Sequence, residues 1–442
     1  MTRPARQSTQ PATPSVPSAP PPVAIIAATL YGNRGAQAML ETVVGVLSRQ
    51  QRQRRFHVFS YYPADDRRLL RDPRIDIHSA TPLALVAWLL PWSLLFGLLQ
   101  RLFGARVLRL APAPIRGLAE SALLVDLAGV AFIDGREKFL PFNILTLVPA
   151  WLLATPVVKM PQATGPYRNR INRLCARLVL PRCAKVWARG EYTLAHLQQA
   201  GFSGLNFERA DDIAFNFEES FALTDEGGDE VERCLQALQH DAAVGRRGVI
   251  GLCPSSVVAA RARKRGGDYE TVLVDLVQRL AGHGFQVLLF PNATRAGDGD
   301  AERNNDLPLI RRILAGLVLA ADAPAPVAVS GDVNAAAIKR LIAASDIVLV
   351  SRFHAMVGAL SLARPPVVLG WSHKYAEVMA RFGLEDQVMD YAAMDRAGLE
   401  QAVLAVFEQR AVLADTIRTR LPAIQADALR PLQELPEAMA PR

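Results

Sequence analysis

The sequence contains little cysteine. Its four cysteines are far apart, and no two of them form a Cys-x-x-Cys motif: Cys175, Cys183, Cys234 and Cys253. This spacing argues against a disulfide framework and against a zinc knuckle, because both need closely spaced partners. We therefore expect reduced, buried thiols and no metal site.

Long runs of one charge are also missing. The chain has 442 residues and a formal net charge of +8, but its basic residues are scattered. Scattered positive charge fits an anionic substrate or an anionic membrane surface as well as it fits nucleic acid. Because no nucleic-acid-binding motif accompanies the charge, we expect no nucleic acid partner.

The N-terminal segment 1–22 lacks the unbroken apolar core of a signal peptide. Arg3 and Arg6 are followed by six prolines between Pro11 and Pro22. This composition is typical of a disordered tail. We expect a cytoplasmic protein.

One apolar run is unusually long. Residues 83–99, LALVAWLLPWSLLFGLL, carry no charge and are nearly long enough to cross a membrane. Crossing would separate strands of one predicted sheet, so two interpretations remain. The run forms a helical hairpin buried in the N-terminal domain, or it forms two short helices, broken at Pro91, on the inner membrane leaflet with Trp88 and Trp92 at headgroup depth. Three arginines follow the run: Arg101, Arg106 and Arg109.

Apolar runs of strand length alternate with helical patterns in both halves of the chain. In the first half they are VAIIAATL, HVFSYY, ALLVDLAGVAFID, TPVVKMPQATGP and AKVWARG, and FERADDIAF ends the alternation; in the second half they are GVIGLCP, FQVLLFP, VAVSG, DIVLVS and PPVVLGW. Strands separated by helices indicate parallel pairing. The sequence therefore predicts two Rossmann-like, doubly wound α/β domains that face a cleft.

A polar, acidic stretch containing DEGGDEVE divides the two halves. We predict an N-terminal domain at 23–217, which includes 83–99, and a C-terminal domain at 247–394. The segment 218–246 is the expected connection. Helices in 395–442 are expected to pack back across the joint.

The clearest chemical pattern is SRFHA, which follows the predicted strand DIVLVS. Ser351, Arg352 and His354 occupy the turn between this strand and the next helix. Ligands of open parallel sheets bind at this edge, and a helix N-terminus favours anions. Arg352 offers a planar fork to phosphate or carboxylate, and His354 can exchange a proton near neutral pH. Lys374 follows the next strand and can reach the same crevice.

The segment SRFHAMVGALSLARPPVVL, followed by HKY, resembles the hallmark of the polysaccharide pyruvyl transferase family. Further pieces resemble that family in the expected order: YGNRGAQAML, VDLAGVAFIDG, MPQATGP, WARGEYTLAHLQQAGF and DDIAF. Three positions depart from the family pattern. Ala36 and Gln37 replace acidic residues common after the second glycine of the opening loop, and Asn292 replaces a frequent histidine.

The resemblance implies a GT-B-like enzyme that moves an enolpyruvyl unit from phosphoenolpyruvate to two hydroxyls of one sugar, with loss of phosphate. The donor is a substrate, and no cofactor is implied. Its phosphate and carboxylate need cations, for which Arg352 and Arg189 are the first candidates and Lys374 the third, with Ser351 beside them. His354 is the expected general acid. The acceptor stays open: a nucleotide sugar, a lipid-linked saccharide or a polymer.

The acceptor side should supply a base from the N-terminal domain. Asp126, Asp134 and Glu137 lie near the end of a predicted strand, and Asp134 is the expected base. Asp211 and Asp212 are expected to fix the domain joint through backbone hydrogen bonds.

Acceptor contacts are expected from two turns. Gly32 and Gly35 let the backbone approach a ligand, and Asn33 is a candidate sugar contact. Gln162 lies in the MPQATGP turn. The alternative is that both turns are tight turns that contact no ligand.

Two other functions fit the same architecture. A glycosyltransferase using a nucleotide sugar would also place cations at strand ends, but it usually needs an acidic residue for the ribose, and none is suitably placed after Arg352. A non-catalytic, membrane-associated polysaccharide assembly protein is disfavoured, because Arg189, Arg352, His354 and Lys374 are all present.

Overall fold

Strands and helices alternate through both halves of the chain. The computed structural model describes residues 20–202, 204, 206–242, 246–295, 304–370, 373–392 and 396–435. The strands of the first half are β1 (Val23–Ile26), β2 (Phe56–Ser60), β3 (Ile75–Ser79), β4 (Leu124–Asp126), β5 (Val130–Ile133), β6 (Val157–Gly165), β7 (Lys185–Arg189) and β8 (Phe207–Ala210). The strands of the second half are β9 (Gly248–Cys253), β10 (Phe285–Leu289), β11 (Val327–Ala328), β12 (Ile347–Val350), β13 (Pro366–Gly370) and β14 (Val388–Asp390).

Helices cover both sheets. Those of the first half are α1 (Arg34–Gln50), α2 (Pro63–Leu69), α3 (Pro82–Ala84), α4 (Leu90–Phe103), α5 (Ala113–Glu120), α6 (Leu140–Leu145), α7 (Val148–Leu152), α8 (Arg170–Val179) and α9 (Glu191–Gln199). Those of the second half are α10 (Gly228–Ala242), α11 (Ser256–Lys264), α12 (Tyr269–Gly282), α13 (Leu307–Ala315), α14 (Ala335–Ala343), α15 (Phe353–Ser361), α16 (His373–Arg381), α17 (Arg396–Glu408) and α18 (Arg410–Gln433).

The two sheets share a 3-2-1-4 strand order, the first within eight strands and the second within six. The first runs β3-β2-β1-β4-β6-β7-β8, with β5 beside β6, and the second runs β11-β10-β9-β12-β13-β14. The pairing is parallel, for example between β1 and β4 and between β9 and β12. The order reverses beside β1 and beside β9, which creates a crevice at the carboxyl edge of each sheet. The predicted pair of doubly wound α/β domains is confirmed.

The predicted strands form because their apolar runs are buried on both faces of a sheet. In β12 all four residues of IVLV are buried. One hydrophobic core continues across the two domains and includes Leu40 of α1, Met356 of α15 and Ile417 of α18. The domain joint is therefore packed, which holds the two crevices in a fixed relation.

The C-terminal helices contact both domains. Helix α17 packs on α12, whereas α18 packs on β8 and on the 3₁₀ turn Ile213–Asn216. Arg430 donates to Glu208 at 2.8 Å, and Asn216 donates to the carbonyl of Gln425 at 3.0 Å. The segment 218–246 contains α10, which packs on α14 and β11 of the C-terminal sheet.

Three strand assignments differ from the sequence prediction. The strands β3 and β14 were not predicted, and ALLVDLAGVAFID forms two strands, β4 and β5, rather than one. The interruption occurs because the Asp126 carboxylate accepts a hydrogen bond from the backbone N–H of Ala128 at 2.9 Å, a local turn that ends the strand.

The apolar segment 83–99 forms neither predicted arrangement. It lies in a continuous helix, Pro82–Phe103, which is 28% buried over its most apolar window. The predicted break at Pro91 is wrong, because a wide turn at Leu85–Leu89 precedes the proline and the N–H of Leu90 donates to the carbonyl of Leu85. The extra residue accommodates the proline ring and its missing N–H.

The same helix also does not fold back as a buried hairpin. Leu85, Leu89 and Phe96 pack into the N-terminal core, whereas Leu94 and Leu98 are exposed. Among the described residues, it is the one helix whose length and composition would allow a membrane crossing. Its buried face ties it to the domain.

Candidate functional site

The SRFHA turn lies at the crevice of the second sheet. Strand β12 ends at Val350, and α15 begins at Phe353 with Arg352 as its N-terminal cap residue. The Nε of Arg352 donates to Oδ2 of Asp306 at 3.0 Å, and its Nη2 contacts Oδ1 of the same carboxylate. Asp306 is fully buried. Burial lowers the pKa of the Arg352 guanidinium, but the Asp306 carboxylate outweighs burial and raises it. Arg352, the side chain expected to bind the anionic donor, is therefore already paired with a carboxylate.

Asp306 also holds the neighbouring loops. Its carboxylate accepts the backbone N–H groups of Ser256 at 2.9 Å, Asn292 at 3.2 Å and Ala293 at 3.0 Å. Arg352 donates further to Asn304 at 3.2 Å. This ion pair thus orders the loops after β9, β10 and β12 around one point of the crevice.

His354 faces a carboxylate of the N-terminal domain. Its Nε2 lies 3.7 Å from Oδ2 of Asp212, and the Nη1 of Arg189 donates to the same oxygen at 2.9 Å. Asp212 is buried and also accepts the N–H of Ala214 at 3.0 Å. Among the described residues, Nε2 of His354 has no hydrogen-bond partner. The arrangement leaves a buried imidazole nitrogen for a ligand.

The charge state of His354 follows from this environment. Burial, aided by the charges of Arg189 and Lys374, lowers the pKa of His354 to about 4, against the opposing effect of Asp212. The imidazole is therefore neutral at neutral pH before a ligand binds. Only added negative charge nearby would make it a proton donor.

Lys374 lies over the same aromatic ring as Arg189. Its Nζ is 4.8 Å from the ring centroid of Phe353, and the guanidinium carbon of Arg189 is 4.6 Å from it. Burial, then the charges of Arg189 and Arg136, lower the pKa of Lys374 to about 7. Crowded cations in a low-dielectric site favour an anionic ligand.

Two large cavities lie beside this cluster. The smaller has a volume of about 380 Å³ and is lined by Arg189, Asp212 and Lys374, with Glu377 and Arg381. The larger has a volume of about 900 Å³ and lies at the crevice of the first sheet. It is lined by the opening glycine loop, by aromatic rings and by basic side chains, among them Tyr61, Phe142, Arg136, Lys138 and Arg295.

The opening glycine loop meets the SRFHA turn. Asn33 caps α1, accepting the N–H groups of Gly35 at 3.2 Å and Ala36 at 3.4 Å. Gly32 has a φ of +77°, which favours glycine. A Cβ at Gly35 would lie 2.0 Å from Nδ1 of His354, so only glycine allows this approach. Gly32 and Asn33 line the larger cavity.

The candidate acceptor-side carboxylates have other partners. Asp134 accepts the N–H groups of Arg168 at 2.7 Å and Asn169 at 3.2 Å, and the side-chain amide of Asn172 at 2.7 Å. It therefore stabilises the start of α8 and is not among the residues lining either cavity. Asp126 lines the larger cavity and forms a buried ion pair with Lys159.

Glu137, Ser351 and Gln162 contribute mainly local contacts. Glu137 accepts the N–H of Gly135 at 2.8 Å. Ser351 is buried and accepts the hydroxyl of Tyr269 at 2.7 Å. Gln162 is buried, its amide donates to the carbonyl of Asp126 at 3.4 Å, and its Oε1 has no partner among the described residues.

Sequence reasoning missed four residues of the site. Asp212 was given a backbone role only, although it binds Arg189 and faces His354. Asp306 and Arg136 were not named. Arg34, inside the glycine motif, is buried, and its guanidinium donates to Thr294 of the C-terminal domain at 2.7 Å. The position of Arg34 between Asn33 and Gly35 was a usable signal.

Within the ranges that the structure describes, no three His, Cys, Asp or Glu side chains are grouped as metal ligands would be.

Comparison with known proteins identifies a family and a fold. A family model described as polysaccharide pyruvyl transferase matches residues 33–373. No curated protein matches the chain. The crystal structure of Anabaena Alr3699/HepE in complex with UDP-glucose is similar with a TM-score of 0.52 and 13% identity, covering 95% of this chain and 99% of that one.

Two epimerase structures are also similar. A putative UDP-N-acetylglucosamine 2-epimerase from Listeria monocytogenes has a TM-score of 0.57 and 9% identity over 94% of this chain and 95% of that one. UDP-GlcNAc 2-epimerase from Neisseria meningitidis bound to UDP-GlcNAc has a TM-score of 0.56 and 10% identity over 94% and 99%. At these identities the likeness shows the GT-B-like fold alone.

Proposed function

The chain belongs to the polysaccharide pyruvyl transferase family, and from this premise we propose that it transfers a pyruvyl group from phosphoenolpyruvate to a sugar of a cell-surface polysaccharide or its precursor, as a cyclic ketal. One observation carries the proposal: Arg189 pairs with Asp212, His354 faces the same carboxylate, and Lys374 lines the adjoining cavity of about 380 Å³. The cluster offers cations to an anionic donor and a neutral imidazole that can gain a proton. The proposed reaction needs no cofactor, because phosphoenolpyruvate is a substrate.

The donor binds through its two anionic groups. Arg189 and Lys374 line the cavity and supply charge-assisted hydrogen bonds to the phosphate and the carboxylate. Arg352 adds positive charge at the helix start, and its pairing with Asp306 makes positioning of the loops its main contribution. Because the pKa of Lys374 is about 7, donor binding draws a proton onto this amine near neutral pH.

His354 acts as the general acid. The bound donor raises the pKa of the imidazole by placing negative charge beside it, and Asp212 stabilises the imidazolium. The proton passes from His354 to C3 of the enol as one sugar oxygen bonds to C2. Phosphate leaves with the electron pair of its bond to C2, and the second hydroxyl then bonds to C2. Of the two hydroxyl protons, one restores His354 and the other leaves with phosphate.

The acceptor binds in the larger cavity. Tyr61 and Phe142 offer apolar faces to a sugar ring, and Asn33 offers an exposed amide. Gly32 and Gly35 keep the opening loop close to His354. The cavity lies at the crevice of the first sheet, so the acceptor would approach the donor from the N-terminal domain.

Phosphate release tests the proposal. Purified protein is incubated with phosphoenolpyruvate and candidate acceptors of three kinds: nucleotide sugars, lipid-linked saccharides and polymer fragments. Acceptor-dependent phosphate release, with a mass gain of 70 Da on the acceptor for a C₃H₂O₂ ketal unit, is the expected result. Release of UDP from a sugar nucleotide without consumption of phosphoenolpyruvate would instead identify a glycosyltransferase.

That second candidate function has one supporting observation. The fold resembles HepE, whose structure holds UDP-glucose, and the larger cavity has the volume for a nucleotide sugar. A third candidate, a non-catalytic polysaccharide assembly protein, would release neither phosphate nor UDP.

We place the enzyme in the cytoplasm, where phosphoenolpyruvate is available, and propose that the helix Pro82–Phe103 rests on the inner membrane leaflet. Its exposed apolar side chains support this placement, including Leu83, Leu94, Leu98 and Leu102. The exposed arginines that follow the helix would meet acidic headgroups.

A further inference from the structure

Helix α8 carries an exposed apolar stripe. It is remote in sequence from the exposed apolar stripe of the helix Pro82–Phe103, which includes Leu94 and Leu98. Ile171, Leu174 and Leu178 are 64%, 58% and 52% exposed. Their spacing of three and four residues places them on one face of the helix. The opposite face, with Ala176 and Val179, is buried in the N-terminal core.

The two exposed stripes lie on the same side of the N-terminal sheet. The inner residues of α8 and of the helix Pro82–Phe103 belong to one hydrophobic core, with Val179 on the first and Phe96 on the second. Between the helices, α7 contacts α4 and α6 contacts α8. Because both helices bury their inner faces in that core, their outer faces point away from the same face of the sheet.

The charged side chains of α8 and of the helix Pro82–Phe103 are all basic. Residues 77–119 contain four arginines and residues 138–190 contain nine lysines and arginines, and neither stretch contains an aspartate or a glutamate. Several of these basic residues are exposed beside the stripes: Arg101, Arg106, Arg109, Arg170, Arg173 and Arg177. Apolar side chains rimmed by cations are the pattern of a surface that binds anionic lipid.

We propose that α8 and the helix Pro82–Phe103 form one docking surface for a bilayer that contains acidic lipids. Soluble monomers rarely leave a large contiguous apolar patch exposed, so exposed apolar faces on two helices of one side favour a covering partner. A second copy of the chain is a poorer occupant, because a symmetric contact would bring the arginines of α8 against arginines. Anionic phosphate headgroups complement the arginines at the rim, and acyl chains complement the apolar stripes.

Docking in this orientation affects access to the larger cavity. Leu85 and Val86 of the apolar helix line that cavity, and Val86 is exposed. The mouth of the cavity would therefore lie next to the lipid surface. The docking proposal itself is independent of the proposed reaction, since it rests on surface residues outside the cluster around His354.

Vesicle flotation with the full chain tests the proposal. The wild type should bind vesicles of phosphatidylcholine with phosphatidylglycerol more strongly than vesicles of phosphatidylcholine alone, and salt should weaken the difference. A variant with Ile171→Ser, Leu174→Ser and Leu178→Ser should lose about 10-fold or more in partitioning. Its melting temperature should stay close to that of the wild type, because the three side chains face outward.

A matched control carries serine at exposed valines elsewhere, Val318→Ser with Val412→Ser, which are 83% and 69% exposed. This control should bind like the wild type. Arg170→Glu with Arg173→Glu should weaken binding to acidic vesicles only.

Three outcomes would overturn the proposal. Wild-type binding by the α8 variant would show that α8 is not part of the docking surface. Equal binding to both vesicle types would show that the surface does not recognise acidic lipid. Absence of vesicle binding, together with a dimer that the α8 variant abolishes, would assign the surface to a second copy of the chain.

Discussion

Gly35 and His354 belong to different domains, yet the backbone of one closes directly over the ring of the other. A Cβ on Gly35 would lie 2.0 Å from Nδ1 of His354 and 2.3 Å from its Cγ. The opening loop of the N-terminal domain thus sets the position of the proposed general acid on the C-terminal domain. The other side of the ring faces Asp212, with 3.7 Å between Nε2 and Oδ2.

Gly35→Ala should therefore reduce turnover. The added methyl group must displace the imidazole or the start of α1, and a displaced acid loses most of a contribution that is typically about 100- to 10,000-fold in rate. Single-turnover phosphate release measures the effect. Gly228→Ala is the matched control, since a Cβ there meets nothing within 4 Å. Unchanged turnover in Gly35→Ala would show that the loop does not set the ring position.

His354→Gln should lose turnover and keep most donor affinity. A proton donor acts mainly in the transition state, so the expected loss is again about 100- to 10,000-fold in kcat. Calorimetry with phosphoenolpyruvate, compared with phosphate release at saturating donor, separates the two effects. A variant that binds donor poorly yet turns over normally at saturation would make His354 a ligand and place the acid elsewhere.

Donor affinity should fall as pH rises above about 7. The pKa of Lys374 is about 7 in the free protein, lowered by burial and by the charges of Arg189 and Arg136. A bound anion raises this pKa, so binding takes up a proton and becomes weaker with rising pH, by up to about tenfold per pH unit. Calorimetry in buffers of different ionisation enthalpy measures the number of protons taken up when the donor binds.

Lys374→Arg is the control for that titration. Arginine keeps its charge over the whole range, so most of the slope above pH 7 should disappear while binding persists. An unchanged slope in this variant would assign the proton to another group.

Arg352→Ala should destabilise the C-terminal domain. It leaves the buried Asp306 carboxylate without its cation, which typically costs about 3–5 kcal/mol in the free energy of unfolding. Adding Asp306→Asn should recover part of this loss, because the uncompensated charge is gone. Denaturant unfolding of the single and double variants measures both. Equal stability of the single variant and the wild type would contradict the structural role.

Donor titration of the double variant then separates two roles of Arg352. If Arg352 contacts the donor directly, affinity stays low even where stability recovers. If it only orders the loops, affinity should recover with stability. A direct, buried contact would be worth about 2–5 kcal/mol.

The two-domain fold could be predicted from the sequence because its strands are apolar runs buried on both faces. Strand β3, IDIHS, was not predicted, because its polar and apolar residues alternate at the edge of the sheet. The SRFHA turn could be located for a related reason: a buried strand followed by an apolar helix fixes where the crevice must be.

The partners in the site could not be predicted. Asp306 is 46 residues from Arg352, and Asp212 meets Arg189 because β7 and β8 are neighbours in the sheet. Such pairings depend on strand order and loop paths, which local patterns do not specify. The tolerance of Pro91 depends likewise on the wide turn before it, for which the sequence has no simple signature.

Substitutions on opposite faces of the helix Pro82–Phe103 should have opposite effects. Leu89 is 2% exposed and packs into the N-terminal core, whereas Leu95 is 46% exposed. Leu89→Ser opens a cavity and buries a hydroxyl, so it should lower the free energy of unfolding by about 2–5 kcal/mol. Leu95→Ser should change it by no more than about 0.5 kcal/mol and should instead weaken binding to acidic vesicles. Denaturant unfolding measures the stability of both variants, and vesicle flotation measures their membrane binding. A strongly destabilised Leu95→Ser with wild-type flotation would mean that the outer face is covered by protein and not by lipid.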